Sequence, residues 1–192
     1  HSSVPVSGGA RSYLGGVVGD NGGDVKNCYS TDSVSSITTG GAVGGVVGRA
    51  QSSSLVWFSY AKGRLIAGES SSLGGVVGEN FGKVHNCYAT DTLAARSLSA
   101  VGGVVGTSNF GAEVIDCYAI GRVLGASGSF LGGVVGDNYG SLFTSYAVGT
   151  LILTTDATAG GVVGQNSLGG NIQYSYWNSQ ISALTLGIGN IA

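Results

Sequence analysis

The residues best equipped for chemistry are three cysteines, two histidines and a few acids, and their spacing decides what chemistry is open to them. Cys28, Cys87 and Cys117 each precede a tyrosine. No CxxC pair accompanies them, so neither a zinc cluster nor a dithiol redox centre is indicated. Ser59, Ser145 and Ser175 hold the same place before Tyr60, Tyr146 and Tyr176, which makes it a position for small side chains rather than for thiols. A serine or cysteine nucleophile needs a histidine base. His1 is terminal, and His85 occupies a variable strand position that reads as surface. Asp20, Glu79 and Asp137 follow one glycine motif in alternate copies, and two coils of stacked strand would set neighbours about 9.6 Å apart, near the span of a glycosidase carboxylate pair. Their turn sequences are ordinary places for solvated acids, and the Asp-x-Asp-Gly pattern of a calcium loop is missing. We therefore expect no catalytic residue, no metal and no cofactor.

Trp57, Phe81, Phe110, Phe130, Tyr139, Phe143 and Trp177 lie at variable or turn positions. Lined up on one face they would form a surface for a ligand or partner chain; otherwise they fill core or stand singly. Either arrangement is compatible with the sequence. Of 192 residues, 37 are Gly, one is Pro and only 9% are charged, with a net charge of -2. Such a chain has no basic face for a phosphate backbone, which sets nucleic acid aside. No uninterrupted apolar run of membrane-spanning length occurs either.

What positions these residues is a repeat. Gly-Gly-Val-Val-Gly starts at Gly15, Gly44, Gly74, Gly102, Gly132 and Gly160, at steps of 28 to 30 residues. A small residue before Tyr recurs in phase at 28, 59, 87, 117, 145 and 175. An aliphatic residue stands three before it (Val25, Val56, Val84, Val114, Leu142, Ile172) and another six after it (Val34, Leu65, Leu93, Val123, Leu151, Ile181). The distance from Gly-Gly to the small residue alternates between 13 and 15, so one turn is two residues longer in every second copy. Segments rich in Gly and β-branched residues, without a 3.6-residue stripe, disfavour helix.

Identical residues recurring at fixed phase suit stacked parallel strands, each lying about 4.8 Å above its counterpart. The expected fold is all-β: a single parallel β-solenoid over residues 1–192, with six coils of near 29 residues and about three strands per coil. It should be about 29 Å long and right-handed by the rule for parallel crossovers. Period-two alternation places Val25 and Tyr29, with their counterparts, inward and the Cys/Ser column outward or at a bend; a bulge would reverse this. Gly-Gly is expected at a corner or close backbone approach. The uncharged tail 181–192, with Ile181, Leu184, Leu186, Ile188 and Ile191, either caps one open end or pairs with another subunit head to tail.

The run Gly74-Gly-Val-Val-Gly-Glu-Asn-Phe-Gly-Lys-Val-His-Asn-Cys-Tyr-Ala-Thr90 resembles the GLUG motif, and Ser175-Tyr-Trp-Asn-Ser-Gln180 is similar to the form that closes such arrays. The second copy departs from the pattern, with Arg49-Ala-Gln-Ser-Ser-Ser-Leu-Val-Trp57 in place of an Asn-Gly turn. The resemblance implies a large bacterial surface or secreted protein of the filamentous-haemagglutinin-like adhesin or immunoglobulin A peptidase kind, with the repeats outside any protease domain. A non-catalytic adhesin segment, stalk or filament subunit that contacts host protein or glycan is then the expected role. A polysaccharide-processing enzyme or carbohydrate-binding accessory is the alternative, and ice binding a remote one.

Overall fold

A computed structural model describes residues 5–154, 156–182 and 184–191. Each coil carries five short strands rather than three, so the solenoid has five faces. In one coil they are Ser72–Gly74, Val77–Asn80, Lys83–His85, Tyr88–Ala89 and Thr92–Ala95, the first to fifth faces in that order. Among the described residues four faces hold six strands, and the second holds seven because Ile188–Ile191 adds to Val163–Asn166. Pairing is parallel and in register: Val34, Leu65 and Leu93 stack on the fifth face, Val56, Val84 and Val114 on the third.

The interior is divided. One apolar cluster holds the valines of the second and third faces and the alanines of the fourth, and the other lies between the fifth and first faces, with Leu65, Leu73, Leu93 and Leu131. Gly-Gly forms the waist between them. A Cβ built on Gly45, Gly75, Gly103 or Gly133 would stand 2.4 to 2.6 Å from the methyl of Ala61, Ala89, Ala119 or Ala147 across the coil, and closer still to the glycine carbonyl of the next coil. No side chain fits there. The expectation of a close backbone approach is met by glycine opposed to alanine across the interior.

The expected facing of the tyrosines is reversed. Val84, Cys87 and Ala89 are buried while His85 and Tyr88 face out, because the residue before Cys or Ser takes a left-handed backbone. Asn27, Phe58, Asn86, Asp116, Thr144 and Tyr174 have φ between 46° and 54°. That bend consumes one residue and shifts the alternation, so the Cys/Ser column turns inward and the tyrosines outward. Inside, the column answers the backbone. Cys28 N donates to Ser59 Oγ at 3.1 Å and Cys117 N to Ser145 Oγ at 3.1 Å, while Ser59 and Ser145 hydroxyls donate to the carbonyls of Trp57 and Phe143. The corner between the fifth and first faces repeats the device, with Ser71, Ser99 and Ser129 behind left-handed Ser70, Leu98 and Gly128. A third inner column closes turns through its amides, as Asn80 Oδ1 accepts from Gly82 N at 3.0 Å.

At the C-terminal end Trp177 stands in the inward register position of Ala147. Its indole lies over Gly161 and Gly187, and Nε1 donates to Leu184 O at 3.3 Å. Leu184 packs against the second apolar cluster, whereas Leu186 and Ile191 are exposed. Ile181 leaves its expected column: the chain makes one helical turn, Ser179–Ser182, and Ile181 is exposed. No helix of the described residues is long and apolar enough to cross a membrane.

Candidate functional site

The aromatic positions do not share one face. Trp57 and Phe143 occupy the outward column of the third face, separated by His85 and Ile115. Trp57 packs beneath Lys26, whose Nζ is 4.0 Å from the ring, and 5.1 Å from the Phe58 ring. Phe81, Phe110 and Tyr139 lie at turns between the second and third faces, where Phe110 and Tyr139 meet at 5.2 Å. Phe130 is on the first face, and Trp177 points inward. The continuous aromatic line is the tyrosine column itself. Tyr29, Tyr60, Tyr88, Tyr118 and Tyr146 stack with centroids 4.8 to 5.1 Å apart and ring planes within 7°. Burial, then the neighbouring phenols, pushes the Tyr88 and Tyr118 hydroxyls above their ordinary pKa.

The acids of the second face are not paired with each other. Arg49 stands between Asp20 and Glu79, and Thr107 between Glu79 and Asp137. Asp20 accepts from Gln51 at 3.1 Å, Glu79 lies 3.7 Å from Arg49 Nε, and Asp137 accepts from Ser167 at 2.9 Å. Burial raises the Asp137 pKa against the hydrogen bonds it receives from Ser167, Tyr139 and the Asn138 amide. Three separately partnered carboxylates do not make an acid and base facing one reacting atom. His85 Nε2 lies 3.3 Å from Glu113 Oε2, which also pairs with Lys83 at 3.3 Å. His1 lies outside the described residues.

Cys28, Cys87 and Cys117 are free thiols, the last two buried, and burial pushes Cys117 well above the usual thiol range. Among the described residues no group of three or more metal-ligating side chains gathers. Asp91, at the waist beside Gly75, is 2% exposed, and neither carboxyl oxygen makes a well-formed hydrogen bond. Its carboxyl pKa is pushed up to about 8 by burial, only the Gly63 amide working the other way. With that pKa it stays uncharged through most of the physiological range.

Two polar clefts of about 330 Å³ open on the first and second faces, on either side of the Arg49–Glu79 pair. The first is lined by Arg11, Tyr13, Gly41, Ser70, Ser72 and Glu79, the second by Arg49, Gln51, Ser52 and Phe81. Arg49 joins them. Its guanidinium packs over the Tyr13 and Phe81 rings at 5.0 and 4.9 Å and donates to Tyr13 Oη at 2.9 Å. The repeat arithmetic missed Arg11 and Tyr13, which stand outside its landmarks. The available signal was Gly40-Gly41, an extra glycine pair before the motif, together with Arg49 in place of the acids of alternate copies.

No curated protein and no solved structure matches the chain. The family model of the GLUG motif matches residues 10–35 and 69–94, the first and third copies of the repeat. Those segments run through the same faces as the unmatched copies, in register with them, so the chain carries the GLUG motif at two places within one continuous structural repeat.

Proposed function

We infer that the chain is a rigid, non-catalytic segment of an extracellular surface protein, an adhesin or stalk whose work is done by its outer faces. Repeat and fold are those typical of structural repeat proteins. The observation that supports the reading best is continuity: five parallel sheets run through the stacked coils, so bending the axis must strain every ladder at once. The separation of Asp20, Glu79 and Asp137 by Arg49 and Thr107 speaks against polysaccharide cleavage. Trp177 and the returning Ile188–Ile191 strand speak for a cap at that end rather than an open surface for head-to-tail growth.

Solution scattering and adhesion test the two halves of this reading. The purified chain should scatter as a compact rigid particle, and beads coated with it should hold to glycoprotein-covered surfaces. A flexible-chain profile overturns the rod. Beads no more adhesive than albumin-coated ones overturn the adhesin.

A further inference from the structure

The first polar cleft exists because one coil carries Gly40, Gly41 and Ala42 where its neighbours carry larger side chains. At the corner between the fifth and first faces the left-handed residues are Arg11, Gly40 and Ser70 in successive coils. The next residues are Ser12, Gly41 and Ser71. Gly40 and Gly41, with only the methyl of Ala42 between Tyr13 and Ser72, thus leave a slot one coil high between Arg11 and Tyr13 on one side and Ser70 and Ser72 on the other. The slot cannot be filled by mutation at low cost: Gly41 has φ +115°, and a Cβ there would meet Ser12 O at 2.5 Å.

The groups around the slot are of mixed chemistry. Arg11 is a guanidinium with no ion-pair partner among the described residues. Tyr13, 38% exposed, supplies an aromatic wall. Glu79 offers carboxylate oxygens, and Ser70 and Ser72 add hydroxyls. A free guanidinium selects a carboxylate and binds it bidentately. An aromatic wall with acceptors and hydroxyls beside it suits a ring that is apolar on its face and hydroxylated at its rim. A pyranose carrying a carboxylate has both properties in one unit.

We propose that this slot binds a carboxylated sugar residue of a glycan, with Arg11 holding the carboxylate, Tyr13 the ring face and Glu79 the hydroxyls. The adjoining cleft at Phe81 and Gln51, across the Arg49–Glu79 pair, takes the next unit of the same chain. The proposal rests on the reading of the protein as a recognition surface and gives that surface a ligand class and a location.

The test uses the full chain and amide NMR. Two probes carry the carboxylate, a tetrasaccharide of alternating glucuronate and N-acetylglucosamine and a sialyllactose. An N-acetylglucosamine tetramer is the neutral control and tetraglutamate the acidic non-sugar. At least one carboxylated glycan should shift the amides around Arg11, Tyr13, Ser70 and Glu79. Arg11→Ala should weaken it about tenfold or more, the loss of one charge-assisted pair, and Arg11→Lys less. Tyr13→Ala should weaken both that glycan and the neutral tetramer. Arg11 is exposed, so its variants should melt with the parent, which separates binding from folding. Absence of localised shifts with both acidic glycans up to about 10 mM, where even millimolar affinity shows, overturns the proposal. So does tetraglutamate binding as tightly with the same dependence on Arg11. A rod that scatters as expected and binds neither glycan would leave the scaffold reading standing and remove this site alone.

Discussion

The column that begins at Cys28 and the column that begins at Tyr29 are neighbours in the chain and repeat with the same period, yet opposite forces select their side chains. The inner one admits only Cys or Ser, because each member must fit beneath a left-handed bend and serve the peptide groups there: Ser145 Oγ accepts from Cys117 N and donates to Phe143 O. The outer one is tyrosine in every coil although solvent reaches it, and its rings stack on each other at about the strand spacing. Inside, hydrogen bonding is obligatory and size is capped. Outside, like stacks on like and the penalty for a misfit is small.

The largest test of this contrast is Ser145→Val. The substitution removes a buried acceptor and donor, orphans the Cys117 amide and adds bulk, and should cost about 2–4 kcal/mol in denaturant unfolding. A loss no greater than that at the outer column would erase the distinction. Asp91→Asn should come next, with the opposite sign. The folded protein holds the Asp91 proton up to about pH 8, whereas the unfolded chain releases it near the ordinary value of 3.8. Stability from this group is therefore full below that value and is lost as pH rises towards 8. The variant should melt higher than the parent at pH 8 and show a flatter fall of melting temperature between pH 4 and 8.

Tyr88→Ala should cost roughly 1 kcal/mol, the worth of stacking contacts at a partly exposed site. The ladder also carries its own pH signature. Tyr88 and Tyr118 hold their protons more tightly folded than unfolded, so unfolding should grow easier as pH climbs past 10, and less so in a chain with both changed to Phe. The smallest effect belongs to Cys117→Ser, which exchanges one small hydrogen-bonding residue for another and should move stability by less than about 1 kcal/mol. In the native parent, thiol labelling should reach half-buried Cys28 well before Cys87 or Cys117.

The period and the apolar columns were legible because in a parallel stack residues at equal phase are spatial neighbours, so Val56, Val84 and Val114 announce their own register. The facing of Tyr and Cys was not. It depends on the backbone of the residue before Cys, where Asn27, Asn86 and Asp116 are types that tolerate the left-handed region and Phe58, Thr144 and Tyr174 give no hint of it. Five faces looked like three because strands of two to four residues are too short to display a period. The waist joins glycine and alanine that are distant along the coil, and the Arg11 slot joins three successive coils, so neither has a local signature. Trp177 was legible as a closing residue through its resemblance, while its inward direction came from pairing with Ala147.

The alternating turns carry a consequence for how such a chain can grow. Gly82 and Gly140, in the shorter turns, press against the backbone of the longer ones: a Cβ on Gly82 would meet Gln51 O and Ser54 O at 2.4 to 2.5 Å, and one on Gly140 would meet Asn109 O and Ala112 O at 2.5 to 2.8 Å. A longer turn therefore needs a glycine-bearing short turn on its next coil. Duplication or loss of two coils preserves that fit, whereas one coil would bring turns of the same kind together. The structural unit of length is therefore the pair of coils rather than the single coil.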